Sequence, residues 1–300
     1  MKSGRDGFGD ALLNLGKNKN IVALTADLSP SVRMDAFKKK YPSRFFDVGV
    51  AEQNLIGVGS GLSHVGKLPF IAGFGAFMPG MCYQQIRTTI AYNNNNVKLV
   101  ATHCGLDVGE DGAMHQMLED IGLMRILPNM TVIVPCDYWQ TYKATIAVSK
   151  LKGPSYIRVG RSKTNEITSN KTSFKIGKAQ TLRKGKKACI IACGPILFDA
   201  LKAADEIGNV RVINLHTIKP IDKPAILKAA KECKNIITLE DHQINGGMGS
   251  AVCEVIAGRC KVVRLGVEDK FGESGDSKEL MKKYGLTKEK IKKVLLSFLK

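Results

Sequence analysis

The stretch FFDVGVAEQN places Glu52 where an apolar, strand-like run hands over to a helical one, AEQNLIGVGSGLSHV. A carboxylate at that junction has two readings. It can be a first-turn acid favoured by the helix dipole, or a proton-handling group set beside a ligand. Further chemistry is concentrated in THCGLDVGEDGAMHQMLEDIGLMRILPNMTVIVPCD, where His103, Asp111, His115 and Glu119 stand close to Gly105, Gly109 and Gly112. These residue types could ligate a metal, but their spacing is not H-E-x-x-H or another known ligand set. We assign no metal ligand to this chain. Phe74 and Phe77, in GFGAFM, suit either core packing or flat stacking against a heteroaromatic ring. GVGSGL is not a dinucleotide fingerprint, because its glycine spacing fails and it lies inside the helical pattern.

These groups need a frame, and the hydrophobic pattern supplies one. Runs rich in β-formers at 20–29, 44–50, 68–77, 97–105 and 130–137 alternate with helical stretches at 5–17, 51–65, 79–93, 115–127 and 138–151. Such alternation predicts a parallel sheet covered on both faces, with ligands beyond the carboxyl ends of its strands. Residues 161–187 are polar and aperiodic, and read as a linker or a linker plus an edge hairpin. Beyond them, strands at 188–193, 210–216, 235–241 and 261–267 alternate with helices near 196–207, 222–233, 246–257, 276–284 and 287–299. The expected fold class is therefore α/β, with two domains that are each an open, mostly parallel sheet with helices on both faces. The expected boundaries are 1–165, a linker at 166–187, and 188–300. Gly57 and Gly61 leave one face of the helix after Glu52 nearly bare, which predicts close packing against another subunit or domain.

Composition narrows the function classes. At 44% hydrophobic and 24% charged residues the chain reads as globular rather than disordered. No apolar run approaches the roughly 20 residues of a membrane helix. The net charge of +18 comes from dispersed lysines without interleaved aromatics, which argues against nucleic acid and fits a solvated surface or a phosphate-bearing substrate. The eight cysteines form no C-x-x-C pair, and read as core thiols of a cytoplasmic protein.

The motifs ADLSPS, DVGVAEQN, GFGAF, ATHCGLDVGEDGAMHQ and RILPNMTVIVPCD, in that order, resemble the pyrimidine-binding domain of transketolase. More loosely, they resemble deoxyxylulose-phosphate synthase. DHQINGGMGS extends the likeness into the family's C-terminal domain. The family's G-D-G motif and its downstream Asn, which hold Mg²⁺ and the cofactor's diphosphate, are missing here. The resemblance therefore implies one subunit of a split transketolase, with the Mg²⁺ ligands on a diphosphate-binding partner subunit and an α2β2 heterotetramer as the assembly.

The same resemblance implies roles. Glu52 would hydrogen-bond the aminopyrimidine ring of thiamine diphosphate and favour the tautomer that removes the cofactor's acidic proton. Phe74 and Phe77 would enclose that ring, and Asp27 would lie near the cofactor and the subunit interface. The family's next aromatic aligns near Gly80, with Tyr83 as the alternative. Asp111 and His115 would contact sugar hydroxyls, although Ala113 and Met114 replace the Pro and Thr usual before that histidine. Arg5, Ser31, His103 and Arg161 would grip the substrate phosphate, where arginine's planar fork suits two oxygens. The implied reaction is two-carbon ketol transfer between sugar phosphates of pentose phosphate metabolism. Three rivals remain: a 2-oxo-acid dehydrogenase β-type subunit, a deoxyxylulose-phosphate synthase, and a regulatory or nucleic-acid-binding module.

Overall fold

The computed structural model describes the backbone of residues 1–299 and the side chains of residues 1–298. The first half runs α1 (Gly4–Leu15), β1 (Ile21–Thr25), α2 (Asp35–Lys40), β2 (Phe45–Asp47), α3 (Glu52–His64) and β3 (Leu68–Phe74). It continues with α4 (Tyr83–Gln85) between π-helical turns at Ala76–Met81 and Ile86–Ala91, then β4 (Lys98–Thr102), α5 (Asp120–Ile126), β5 (Thr131–Ile133), α6 (Tyr138–Val148) and β6 (Ser155–Arg158). The second half runs β7 (Gln180–Arg183), β8 (Ala188–Ala192), α7 (Leu197–Ile207), β9 (Val210–Asn214), β10 (Thr217–Lys219) and α8 (Lys223–Cys233). It ends with β11 (Asn235–Gln243), α9 (Met248–Ile256), β12 (Lys261–Val267), α10 (Ser277–Lys283) and α11 (Lys288–Leu299).

Two sheets result, in the orders β10-β5-β6-β4-β3-β1-β2 and β12-β11-β8-β9-β7. Every pairing is parallel except the edge pairs β10–β5 and β7–β9. Strands β1, β4 and β8 are buried along their whole length, as the continuous apolar runs IVALT and ACIIA require. Helix starts follow local chemistry: Ser3 and Asp6 form a capping box on α1, and Asp137, Asp222 and Asp276 cap α6, α8 and α10. The α/β class and two sheets match the expectation.

The differences have physical causes. Of residues 115–119, expected to begin a helix, His115 closes a turn on Gly112, Met117 makes a single bridge to Cys104 and Glu119 bends, so α5 starts only at Asp120. Gly105 N–H donates to Met117 O at 2.8 Å and Gln243 N–H to Leu118 O at 2.8 Å, so this backbone is already engaged on both sides. The hydrophobic pattern does not announce the short elements α2, β6 and β10. β7 occupies the segment expected as a linker, forming an antiparallel edge strand there. β10 leaves the second half of the chain to pair with β5 of the first sheet.

Candidate active site

Strands β4, β3 and β1 are neighbours at the centre of the first sheet and run the same way. Their carboxyl ends open on one edge, which also receives the chain after β2 and β6. Asp27 follows β1, Glu52 follows β2, Phe74 and Phe77 lie at the end of β3, His103 follows β4, and Arg161 follows β6.

Asp47 sets the approach to Glu52. Its Oδ1 accepts the Gly49 N–H at 3.2 Å and the Asp27 N–H at 2.8 Å, tying the ends of β1 and β2 together. Gly49 sits in the left-handed region at φ 71°, which glycine adopts without a side-chain clash. The turn delivers Glu52 as the first residue of α3, where it is only 7% exposed. No ion pair or side-chain hydrogen bond among the described residues engages its carboxylate. Burial, and then the Glu52 charge, pushes the neighbouring Cys82 thiol up to about 11. Asp27 is exposed at φ 57°, held there by the Asp47 bond.

An aromatic wall stands beside this. The Phe74 and Phe77 rings stack at 5.9 Å between centroids, 21° apart in plane. His103 lies over Phe74 at 3.8 Å, and His115 meets Phe77 edge-on at 5.2 Å. The His115 Nδ1 is buried and has no hydrogen-bond partner among the described residues. Met117 fills the space near Gly80, its sulfur 3.7 Å from where a Cβ would stand.

The wall continues into a cationic corner. Arg5 donates from Nη1 to Ser31 O at 2.8 Å and from Nη2 to Arg161 O at 2.7 Å. Its Nη1 also lies 3.5 Å from His103 Nε2. His103 Nδ1 is 2.9 Å from Thr102 Oγ1, which lies 3.5 Å from Gly73 O. With the Thr102 hydroxyl donating to Gly73, the ring proton belongs on Nδ1, and Nε2 is left to accept from Arg5. Burial, then the charges of Arg5 and Arg161, holds His103 down to about 3, so the ring is neutral near pH 7. Arg161 donates to Val108 O at 2.7 Å and stands 3.8 Å from Asp111 Oδ1. Both side chains of that pair are more than a third exposed, so it contributes at most about 1 kcal/mol.

Contacts thus link Arg5, Ser31, His103, Arg161, Asp111, Phe74, Phe77 and His115 into one group. Glu52 and Asp27 share its edge of the sheet without touching it directly. Among the described residues, no cluster of His, Cys, Asp and Glu has the geometry to hold a metal ion.

Sequence reasoning missed what supports this group. Arg158 Nε meets both Asp120 oxygens at 2.9 and 3.0 Å, and Tyr156 Oη donates to Asp120 at 2.7 Å. Arg158 Nη2 donates to Met117 O at 3.3 Å and to Asp241 O at 2.8 Å, fastening the loop that carries His115 to the second sheet. Burial opposes the Arg158 charge, yet Asp120 carries it above arginine's usual range. No local signal marks this pair, whose members are far apart in sequence. Asp47 did carry a signal, since an Asp two residues before a Gly is a turn signature. From the second half, Asp241 accepts Leu106 N–H at 3.0 Å, and Ser274 Oγ donates to Glu110 O at 2.6 Å.

Comparison with known proteins gives a consistent picture. Residues 1–166 match the family described as transketolase, pyrimidine binding domain, and residues 177–291 match transketolase, C-terminal domain. A chain of Methanocaldococcus jannaschii, provisionally named a transketolase C-terminal section, is 45% identical over 309 residues, covering 100% of this chain and 97% of its own. An apulose-4-phosphate transketolase subunit of Phocaeicola vulgatus is 38% identical, with 99% and 97% covered. A solved split gene transketolase, described as an inactive beta4 tetramer, superposes with a TM-score of 0.93 at 42% identity, covering 100% of this chain and 99% of its own.

Proposed function

Because the chain belongs to the transketolase family and spans its pyrimidine-binding and C-terminal domains, we propose that it is one subunit of a two-chain transketolase that moves a two-carbon ketol unit between sugar phosphates. The diphosphate-binding subunit would supply the Mg²⁺ ligands and complete an α2β2 assembly in the cytoplasm. The observation that carries this reading is Glu52, a buried carboxylate without an internal partner among the described residues, on the same sheet edge as a stacked aromatic pair and a cationic corner.

These residues fit the pyrimidine half of thiamine diphosphate. Glu52 offers an unengaged acceptor for a ring N–H, Phe74 and Phe77 offer flat apolar faces, and His115 offers a free ring nitrogen. When bound, thiamine diphosphate supplies an acidic carbon and an electron sink for cleaving the bond beside a ketose carbonyl. Glu52 would hold the pyrimidine by accepting a hydrogen bond from one of its N–H groups, at the start of α3 where the residue is largely buried. His115 and Asp111 orient sugar hydroxyls from the glycine-rich loop. Arg5 and Arg161 bind the substrate phosphate, with Ser31 beside them. His103, neutral and with Arg5 and Thr102 against its two nitrogens, stands beside Arg5 in the same phosphate-binding corner. Asp27 lies toward the partner subunit. The domain limits 1–165 and 188–300 are retained, with 166–187 as a connection that carries β7.

The test combines this chain with a diphosphate-domain subunit, thiamine diphosphate and Mg²⁺, and assays transfer from xylulose 5-phosphate to ribose 5-phosphate. Transfer is expected only with both chains present, and Glu52→Gln is expected to abolish it while the assembly persists. Turnover of pyruvate instead of ketose phosphates, or full activity in Glu52→Gln, would refute the reading.

A further inference from the structure

Asp111 and His115 sit on a loop that supports itself poorly. Its 3₁₀ turn, Leu106–Asp111, is broken at Gly109, where φ 74° and ψ −118° leave the helical region. The chain then turns once more, with His115 N–H donating to Gly112 O at 3.0 Å, and no helix begins until Asp120. Among the described residues the Asp111 carboxylate meets only Arg161, across 3.8 Å at the surface. Such a loop does not fix two side chains by its own hydrogen bonds, so their placement depends on what packs against it.

The second half of the chain packs there. Residues 268–276, between β12 and α10, form no regular element and lie against the loop. Gln116, only 5% exposed, donates from Nε2 to Gly109 O at 3.1 Å and to Glu273 O at 2.9 Å, so one amide joins the kink to the second half. Ser274 Oγ donates to Glu110 O from the same segment. A Cβ added at Gly109 would stand 3.3 Å from Gly275 O, and one at Gly112 3.5 Å from Ser274 Cβ. Gly272 is the seat of the amide, since a Cβ there would stand 1.7 Å from Gln116 Oε1. The segment is in turn anchored on α10, where Tyr284 Oη donates to Phe271 O at 2.7 Å and Lys283 pairs with Glu273 at 2.6 Å.

We propose that Gln116 is a positioning residue, and that residues 272–275 are the support that sets how Asp111 and His115 reach the sugar hydroxyls. This rests on the transketolase reading above, and it gives the second half a part in choosing the sugar although none of its residues is placed in the site. Glutamine suits the role because its NH₂ carries two donors, one for each carbonyl. Neither methionine nor an ionised glutamate can make both bonds. Loss of the support shifts the loop and spares Glu52, Phe74 and the cationic corner, so the damage falls on substrates that bring sugar hydroxyls to it. Xylulose 5-phosphate does so. Hydroxypyruvate carries the same two-carbon unit with no sugar chain beyond it.

Two measurements test this. In the two-chain assembly with thiamine diphosphate and Mg²⁺, donor cleavage is followed without acceptor, as glyceraldehyde 3-phosphate from xylulose 5-phosphate and as carbon dioxide from hydroxypyruvate. Gln116→Met should lower kcat/KM for xylulose 5-phosphate by about tenfold to a hundredfold, and for hydroxypyruvate by less than about threefold. Gly272→Ala, which evicts the amide without altering it, should reproduce that split. Separately, hydrogen exchange on the full chain alone should quicken within residues 105–116 by at least about fivefold in Gln116→Met and in Ser274→Ala. Equal losses on the two donors overturn the positioning role, and unchanged exchange overturns the support, whatever the enzyme's activity. A wild-type assembly that cleaves neither donor overturns the transketolase reading and this inference with it. Where Gln116→Met does not fold, Ser274→Ala, which changes an exposed residue, decides both measurements.

Discussion

Arg158 offers the sharpest test of how the site is supported. Its guanidinium is 6% exposed and its partner Asp120 is fully buried, so neither charge has water to fall back on. In Arg158→Met, the methionine fills much of the space, but Asp120 keeps only the Tyr156 hydroxyl. Leaving one member of a buried pair alone costs about 3–5 kcal/mol. The Asp241 carbonyl loses a donor as well, worth about 1–3 kcal/mol if no water replaces it, while the Met117 carbonyl keeps the Gly105 N–H. A loss of at least about 4 kcal/mol follows, a large share of the roughly 5–15 kcal/mol that stabilises a typical domain. Urea unfolding followed by circular dichroism measures it, with Asp120→Asn and the double variant completing a cycle. Asp120→Asn removes the charge that Arg158→Met strands, so the double variant should lose clearly less than the sum of the singles. Proteolysis within residues 103–119 should also quicken in Arg158→Met. A loss below about 1 kcal/mol, or strict additivity, would refute the claim that this pair holds the loop.

Acid should destabilise the protein through two buried histidines. His103 is held down to about 3 and His216 to about 4, both chiefly by burial. The unfolded chain therefore binds more protons below about pH 6.5, and stability falls by about 1.4 kcal/mol per pH unit per histidine until each folded value is reached. His216→Asn and His103→Asn should each flatten the stability–pH curve across that window. Gly105→Ala should cost well over ~1 kcal/mol by thermal unfolding, since φ is 85° and an added Cβ would collide with the Asp241 carboxylate. Around Gly57 and Gly61, no atom among the described residues lies within 4 Å of where a Cβ would stand. Gly57→Ala should therefore stabilise the isolated chain by up to about 1 kcal/mol, whereas Gly57→Phe should block assembly in size-exclusion chromatography.

Much of this was legible in the sequence because it is local. The buried runs IVALT and ACIIA and the alternation of strands with helices mark the two sheets, and the order of five motifs places the candidate residues along one edge of the first. The rest depends on distant partners. Nothing near Asp120 announces Arg158, and nothing in MHQMLE shows that its backbone is claimed by Gly105 and Gln243. The His103 tautomer rests on Thr102 and Gly73, which come together only when β3 and β4 pair. The short strand β10 lies just past the run read at 210–216, and nothing in its three residues shows that it joins the other sheet.

That strand has a consequence for how the gene can be divided. Thr217–Lys219 lies beyond β8 and β9 of the second sheet, yet it closes the first sheet against β5. A chain cut within 166–187 would leave β5 with an open row of backbone donors and acceptors, an invitation to pair with other molecules. The two halves are therefore not interchangeable cassettes. Recombination that swaps the second half must bring a β10 matching the recipient's β5, so the natural seam for exchange lies outside this chain's two sheets rather than between them.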